Sequence, residues 1–302
     1  AGFFVLSPDW KAPAFQPHPA GAPPIWPFLF ITIACGAVSG FHGLVASGTT
    51  ARQLDRETDA PFVGYLGMIG ESLLALIAVL ATTAGAFASR TEWESFYASW
   101  QQAAGLHQKL GVFIAGAANF LSSLGLSHEF AAAFVSVVVV GFAMTSVDTG
   151  TRLLRFNIEE IGETLGISLL RNRYLATALA VAAIGFFAFF KVDGKPAGLF
   201  LWTLFGTTNQ ILAGLTLLAV TIYLYRRKRP VLYTLLPMIV VVSATVAAMF
   251  GNVLKAVHAG QWTVAVVGGV ILALALWVLV EAAIVGLRLR ADRLQKAQES
   301  AA

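Results

Sequence analysis

Seven stretches of this chain run apolar for about the length that crosses a bilayer: residues 26–48, 62–88, 129–150, 173–190, 197–225, 231–254 and 262–287. A helix rises about 1.5 Å per residue, so roughly 20 apolar residues fill a hydrocarbon core of about 30 Å. Helices satisfy their own backbone polar groups there, so the pattern predicts an all-α, polytopic transmembrane bundle of about seven helices, with lipid as its first partner. The charged fraction agrees: 12% of the 302 residues are charged and 57% hydrophobic, against about 25% charged in soluble domains. The formal charge of +4 does not point to nucleic acid, because the basic residues sit mainly in short loops and the tail, where membrane topology explains them. Cys35, the single cysteine, excludes an intrachain disulfide and a Cys-rich metal site. No zinc pattern, phosphate loop or nucleophile elbow is present, so neither an enzyme nor a bound cofactor is expected.

The segments between the spans complete the layout. Residues 1–25 carry prolines at 8, 13, 17, 19, 23 and 24 and predict an extended loop. Residues 89–128 contain GVFIAGAANFLSSLGLS, too short and polar for a span, and predict a re-entrant or surface segment. Residues 151–172 alternate charge with Leu and Ile at helical spacing, the pattern of an amphipathic surface helix. Lys191–Lys195 predicts a tight polar turn, and 288–302 a polar tail. Arg226, Arg227, Lys228 and Arg229 form the densest basic cluster and mark the cytoplasmic side. Counting spans from there places Arg52, Arg56, Arg152, Arg155, Arg171, Arg173 and the tail inside, with residues 1–25, 89–128 and 191–195 outside. The chain opens AGFFVLSPDW with neither an initiator Met nor a signal peptide, so it is expected to be the middle of a longer protein.

The first span changes character halfway. Phe28–Cys35 is apolar, and then Gly36, Ser39, Gly40, His42, Gly43, Ser47, Gly48, Thr49 and Thr50 crowd together. Each glycine costs a helix about 1 kcal/mol relative to alanine. Two uses fit: a helix that unwinds at mid-membrane to offer backbone groups, or a face on which neighbouring helices pack closely. His42 and the hydroxyls favour a site, because polar groups are expensive in a membrane. A break between Gly36 and Gly43 is therefore expected.

Four further sets carry chemistry. Glu71 lies deep in the second span, as a proton carrier or as a hydrogen-bonded tie between helices. Thr145, Ser146, Asp148 and Thr149 place hydroxyls and a carboxylate on adjacent turns, which suits Na⁺; Asp148 could equally pair with Arg152 four residues on. Thr207, Thr208, Asn209 and Gln210 interrupt the fifth span with GTTNQ, as substrate contacts or as a bridge between helices. His42 is a hydrogen-bonded structural residue or a titrating one.

PIWPFLFITIACGAVSGFHGLVASGTTARQLDRETDAPFVGYLGMIGESLLALIA, followed in order by TSVDTGTRLLRF and LWTLFGTTNQILAGL, resembles the carbon starvation protein A family over nearly the whole chain. That resemblance implies a bacterial inner-membrane secondary transporter for peptides or pyruvate, working in nutrient starvation and coupled to H⁺ or Na⁺. It also implies the second half of an inverted-repeat, leucine-transporter-type fold. The substrate would meet Gly36, Ser39, Gly40, His42, Asn209 and Gln210. Coupling would fall to Glu71, Thr145, Ser146, Asp148 and Thr149. The family's first repeat is the expected missing partner, the chain being a fragment or a split-gene product. A membrane sensor or signalling subunit of the starvation response is the alternative, with 151–172 docking a cytoplasmic partner.

Overall fold

The computed structural model describes residues 1–16, 20–103, 105–192 and 195–299. In chain order the helices are α1 (Gly2–Leu6), α2 (Phe30–Ala37), α3 (Gly40–Val45), α4 (Ala60–Leu80), α5 (Arg90–Phe96), α6 (Leu106–Ser122), α7 (His128–Thr164), α8 (Arg173–Phe189), α9 (Ala197–Arg226), α10 (Leu232–His258) and α11 (Trp262–Glu299). Between α8 and α9, β1 (Lys191–Val192) pairs antiparallel with β2 (Lys195–Pro196). Pro17, Pro19 and the centre of the 191–195 turn lie outside the described residues.

Six helical stretches among the described residues are long and apolar enough to cross a membrane: Ile25–Thr50, Glu57–Gly85, His128–Thr164, Phe205–Arg226, Leu232–His258 and Trp262–Arg288. The expected fourth span is helical but runs only from Arg173 to Phe189, 17 residues. Asn172 starts it, its side-chain oxygen accepting from the Tyr174 and Leu175 N–H groups at 3.0 and 3.2 Å. Apart from the two-residue strand pair β1–β2, the regular structure of the described residues is helical, and the chain is a multi-pass membrane protein.

Three segments differ from the sequence expectation. The 1–25 stretch is not extended throughout, because Gly2–Leu6 form the short helix α1. The 151–172 stretch is not a separate helix: α7 continues through it to Thr164. It stops where Gly166 takes φ +70° and the Ile167 N–H returns to the Gly162 carbonyl at 2.8 Å. The fifth span is not interrupted, since α9 is one helix from Ala197 to Arg226. Polar side chains at GTTNQ leave the backbone ladder intact.

The chain divides into two compact units, 1–23 with 53–150 and 24–52 with 151–302, α7 contributing to both. In the first unit, α4 ends in a wider turn, Ala81–Gly85. The carbonyls there find partners outside the helix: Thr83 accepts from the Lys11 N–H at 2.9 Å, and Gly85 from the Asn119 amide at 2.8 Å. Gly116 lets α6 seat directly on the Ala81 carbonyl, and Ala81, Ala117, Phe120 and Val135 form the apolar cluster. Phe87, Trp93, Phe96 and Tyr97 pack together, and burial raises the Tyr97 phenol above its ordinary pKa. Helix α4 itself buries no residue within this unit.

The second unit is built on an antiparallel α9–α10 hairpin. Its register is fixed by Thr207 donating to the Met249 sulfur at 3.6 Å, Gly214 against Val242, and Thr221 donating to Thr234 at 2.8 Å. Met249, Ala256, Val264 and Ala265 join α10 to α11. Ile31 of α2 packs on Ala244 and Ala248 of α10, and Lys255 lies over the Phe28 ring at 4.3 Å. At the end of the first span, Gly48 meets Leu153 and the Arg52 guanidinium lies 4.5 Å over the Phe156 ring.

Candidate functional site

The break in the first span falls at Val38 (φ −139°, ψ 99°) and Ser39 (φ −117°, ψ 142°), between α2 and α3. The helical ladder ends with the Val38 N–H on the Ala34 carbonyl at 2.7 Å. A break of this kind leaves the last carbonyls of one segment and the first N–H groups of the next without helical partners. Ser39 serves as N-cap of α3, its hydroxyl accepting from the Phe41 N–H at 3.2 Å.

Asn209 of α9 supplies the rest. Its Oδ1 accepts from the Phe41 N–H at 2.9 Å and from the Ser39 hydroxyl at 3.2 Å. Its Nδ2 donates to the Ser39 oxygen at 2.9 Å and to the Cys35 sulfur at 3.2 Å. One amide, 6% exposed, therefore ties the end of α2 to the start of α3. Glycines make the approach possible. A Cβ on Gly40 would strike the Asn209 carbonyl and come within 2.6 Å of the Leu212 Cβ; one on Gly43 would meet the Thr216 hydroxyl at 2.5 Å. Both uses of the glycine-rich half thus occur together: the chain unwinds at Val38–Ser39, and Gly40 and Gly43 pack α3 onto α9. Gly36 differs, with nothing within 4 Å of where its Cβ would stand.

The structure brings Ser39, Gly40 and Asn209 together. Gln210, fully buried, is turned about 100° round α9 from Asn209, toward the side where Thr207 and Gly214 meet α10. His42 is exposed on α3, and Gly36 is exposed at the end of α2. In the other unit Glu71 is exposed on α4, and Thr145, Ser146 and Asp148 are exposed on α7. Thr145 and Ser146 donate to the Phe142 carbonyl at 2.8 and 3.1 Å, and Thr149 to the Thr145 carbonyl at 2.9 Å. Their oxygens keep lone pairs for a ligand. Among the described residues, no three of His, Cys, Asp and Glu come together as a metal site. Sequence reasoning missed the sulfur of Cys35 as a partner of Asn209; the residue type carries no signal for that role.

A multi-pass helical membrane protein with one span broken and re-joined through a buried amide is the class these features define. The sequence profile described as Carbon starvation protein CstA matches residues 1–104 and 82–248. The chain belongs to that family. It is 32% identical over 302 residues to the peptide transporter CstA of Helicobacter pylori strain ATCC 700392 / 26695, covering 83% of this chain and 43% of that protein. Against Escherichia coli K12 it is 32% identical to the peptide transporter CstA, covering 76% of this chain and 40% of that protein. It is 31% identical to the pyruvate/proton symporter BtsT of the same strain, covering 76% and 41%. The chain thus spans less than half the length of these curated relatives. No solved structure matches it.

Proposed function

We propose that this chain forms part of a cation-coupled secondary transporter of the bacterial inner membrane that takes up small polar nutrients, peptides or pyruvate, during starvation. The observation that carries the proposal is the break at Val38–Ser39, held by Asn209 inside a span of membrane-crossing length. Irregular backbone at membrane depth is tolerated where it is buried in protein or lines a polar path, and broken helices of this kind mark transporter sites. The relatives' names, peptide transporter and pyruvate/proton symporter, support the same class. In this proposal the chain is the second half of an inverted-repeat, leucine-transporter-type fold, paired with an N-terminal repeat, and it does no catalysis. Gly36, Ser39, Gly40, His42, Asn209 and Gln210 face or shape the substrate path. Glu71, Thr145, Ser146, Asp148 and Thr149 serve the coupling ion, H⁺ or Na⁺.

The test is counterflow of labelled pyruvate and labelled dipeptides in proteoliposomes holding the full-length protein, under imposed H⁺ or Na⁺ gradients. Gradient-driven uptake of one substrate class is expected, with Asp148→Asn or Glu71→Gln lowering the gradient dependence at least tenfold. Absence of counterflow for both substrates overturns the proposal.

A further inference from the structure

Five buried side-chain atoms among the described residues have no hydrogen-bond partner: Trp93 Nε1, Ser122 Oγ, Arg155 Nε, and both Nε2 and Oε1 of Gln210. Trp93, Ser122 and Arg155 are partly exposed. Gln210 is 0% exposed, and both ends of its amide are unpaired. Its neighbour Asn209 is the opposite case, with donor and acceptor both engaged. A buried amide that the surrounding protein leaves wholly unpaired is costly, and an apolar residue of similar shape would avoid that cost.

We propose that Gln210 is a recognition group for a neutral ligand moiety that presents a hydrogen-bond donor and acceptor side by side. This rests on the transport proposal above and narrows it. A primary amide carries one acceptor oxygen and two N–H donors on a single plane. A bare cation would satisfy Oε1 alone, and a bare carboxylate would satisfy Nε2 alone. Either would also bring an unpaired charge into a buried place. An amide group, a hydroxyl or a protonated carboxylic acid satisfies both ends at once. Position supports the assignment. Around α9, Gln210 falls between the face that meets α3, marked by Leu212 and Thr216, and the face that meets α10, marked by Thr207 and Gly214. Access therefore needs a shift of the segments that cover α9, and the break at Val38–Ser39 is a place where the first span can bend without losing helical bonds.

The experiment uses the full-length protein, with Gln210→Met as a same-length apolar variant and Gln210→Glu as a titratable one. Melting temperature is measured in detergent, and uptake of labelled dipeptide and labelled pyruvate in proteoliposomes. Gln210→Met is expected to melt higher than wild type and to lose at least tenfold in dipeptide uptake, since the peptide amide pairs donor and acceptor and pyruvate has no donor; wild-type protein that carries pyruvate alone overturns the proposal. Gln210→Glu is expected to recover uptake, relative to wild type at the same pH, only as the pH falls. Once protonated, the carboxylic acid again offers donor and acceptor together. A lower melting temperature for Gln210→Met would mean a resident water or protein group already pairs the amide, and overturns the proposal. A higher melting temperature with wild-type uptake overturns it too, leaving Gln210 as packing only. Wild-type protein that takes up neither substrate removes the transport proposal itself, and this one with it.

Discussion

Asn209→Leu is expected to destabilise the second unit by about 2–3 kcal/mol and to remove uptake. The leucine keeps the volume and deletes every bond between α9 and the break. The Phe41 N–H loses its 2.9 Å acceptor and falls back on Ser39 at 3.2 Å; the Ser39 hydroxyl keeps that bond alone, and the Cys35 sulfur loses the Asn209 donor. A typical net hydrogen bond contributes about 0.5–1.5 kcal/mol, and a buried polar group left unsatisfied costs about 1–3. Side-chain bonds between membrane helices average nearer 0.6 kcal/mol, because the unfolded helices find other partners in the bilayer. The unwound backbone at Val38–Ser39 has fewer such alternatives, so the higher figure is expected to hold. Reversible unfolding in mixed micelles measures it. A double-mutant cycle with Ser39→Ala isolates the shared term, expected at about 1–2 kcal/mol of coupling. Additive effects, or a fully stable Asn209→Leu, would show that the break stands without Asn209.

The break and its tie were only half legible in the sequence. The density of Gly and Ser after Cys35 located the unwinding, because such residues weaken a helix wherever they occur. The same signal was present at Gly206–Gln210, and there the helix is continuous. Composition cannot separate the two cases. A polar residue in a membrane helix is satisfied either by opening its own backbone or by reaching a neighbour, and Asn209 reaches a neighbour. The long tail of α7 was lost for a similar reason. Charge alternating with Leu at a 3.6-residue period describes both a new surface helix and the continuation of an old one. Membrane-length helices were legible at six of the seven expected spans, since the bilayer sets their length and leaves little choice of residue. Which face of each helix meets protein was not, because lipid-facing and buried positions share one apolar alphabet; α4, with no buried residue in its unit, is the extreme.

The glycines of the first span give the sharpest separation between packing and site. Gly40→Ala is expected to cost about 3 kcal/mol or more, at the upper end of overpacking effects. The added methyl would strike the Asn209 carbonyl, 2.6 Å from the Leu212 Cβ and 3.0 Å from the Ala213 nitrogen, all fixed parts of α9. Helix α9 cannot retreat, because Thr207, Gly214 and Thr221 hold it to α10. Relief must come by lifting α3, which stretches the Asn209 bonds to Ser39 and Phe41 and adds that loss to the clash. Gly43→Ala meets only the Thr216 side chain, at 2.5 Å from its hydroxyl. Thr216 can rotate at the cost of its 2.9 Å bond to the Leu212 carbonyl, so about 1 kcal/mol is expected. Gly36→Ala meets nothing within 4 Å and gains up to about 1 kcal/mol of helix propensity. The predicted order of stability is Gly36→Ala at or above wild type, then Gly43→Ala, then Gly40→Ala far below. If Gly36→Ala keeps its stability but loses uptake, Gly36 borders the substrate path rather than a packed face. If it loses as much stability as Gly40→Ala, a protein surface already covers Gly36, and its place among the substrate contacts falls.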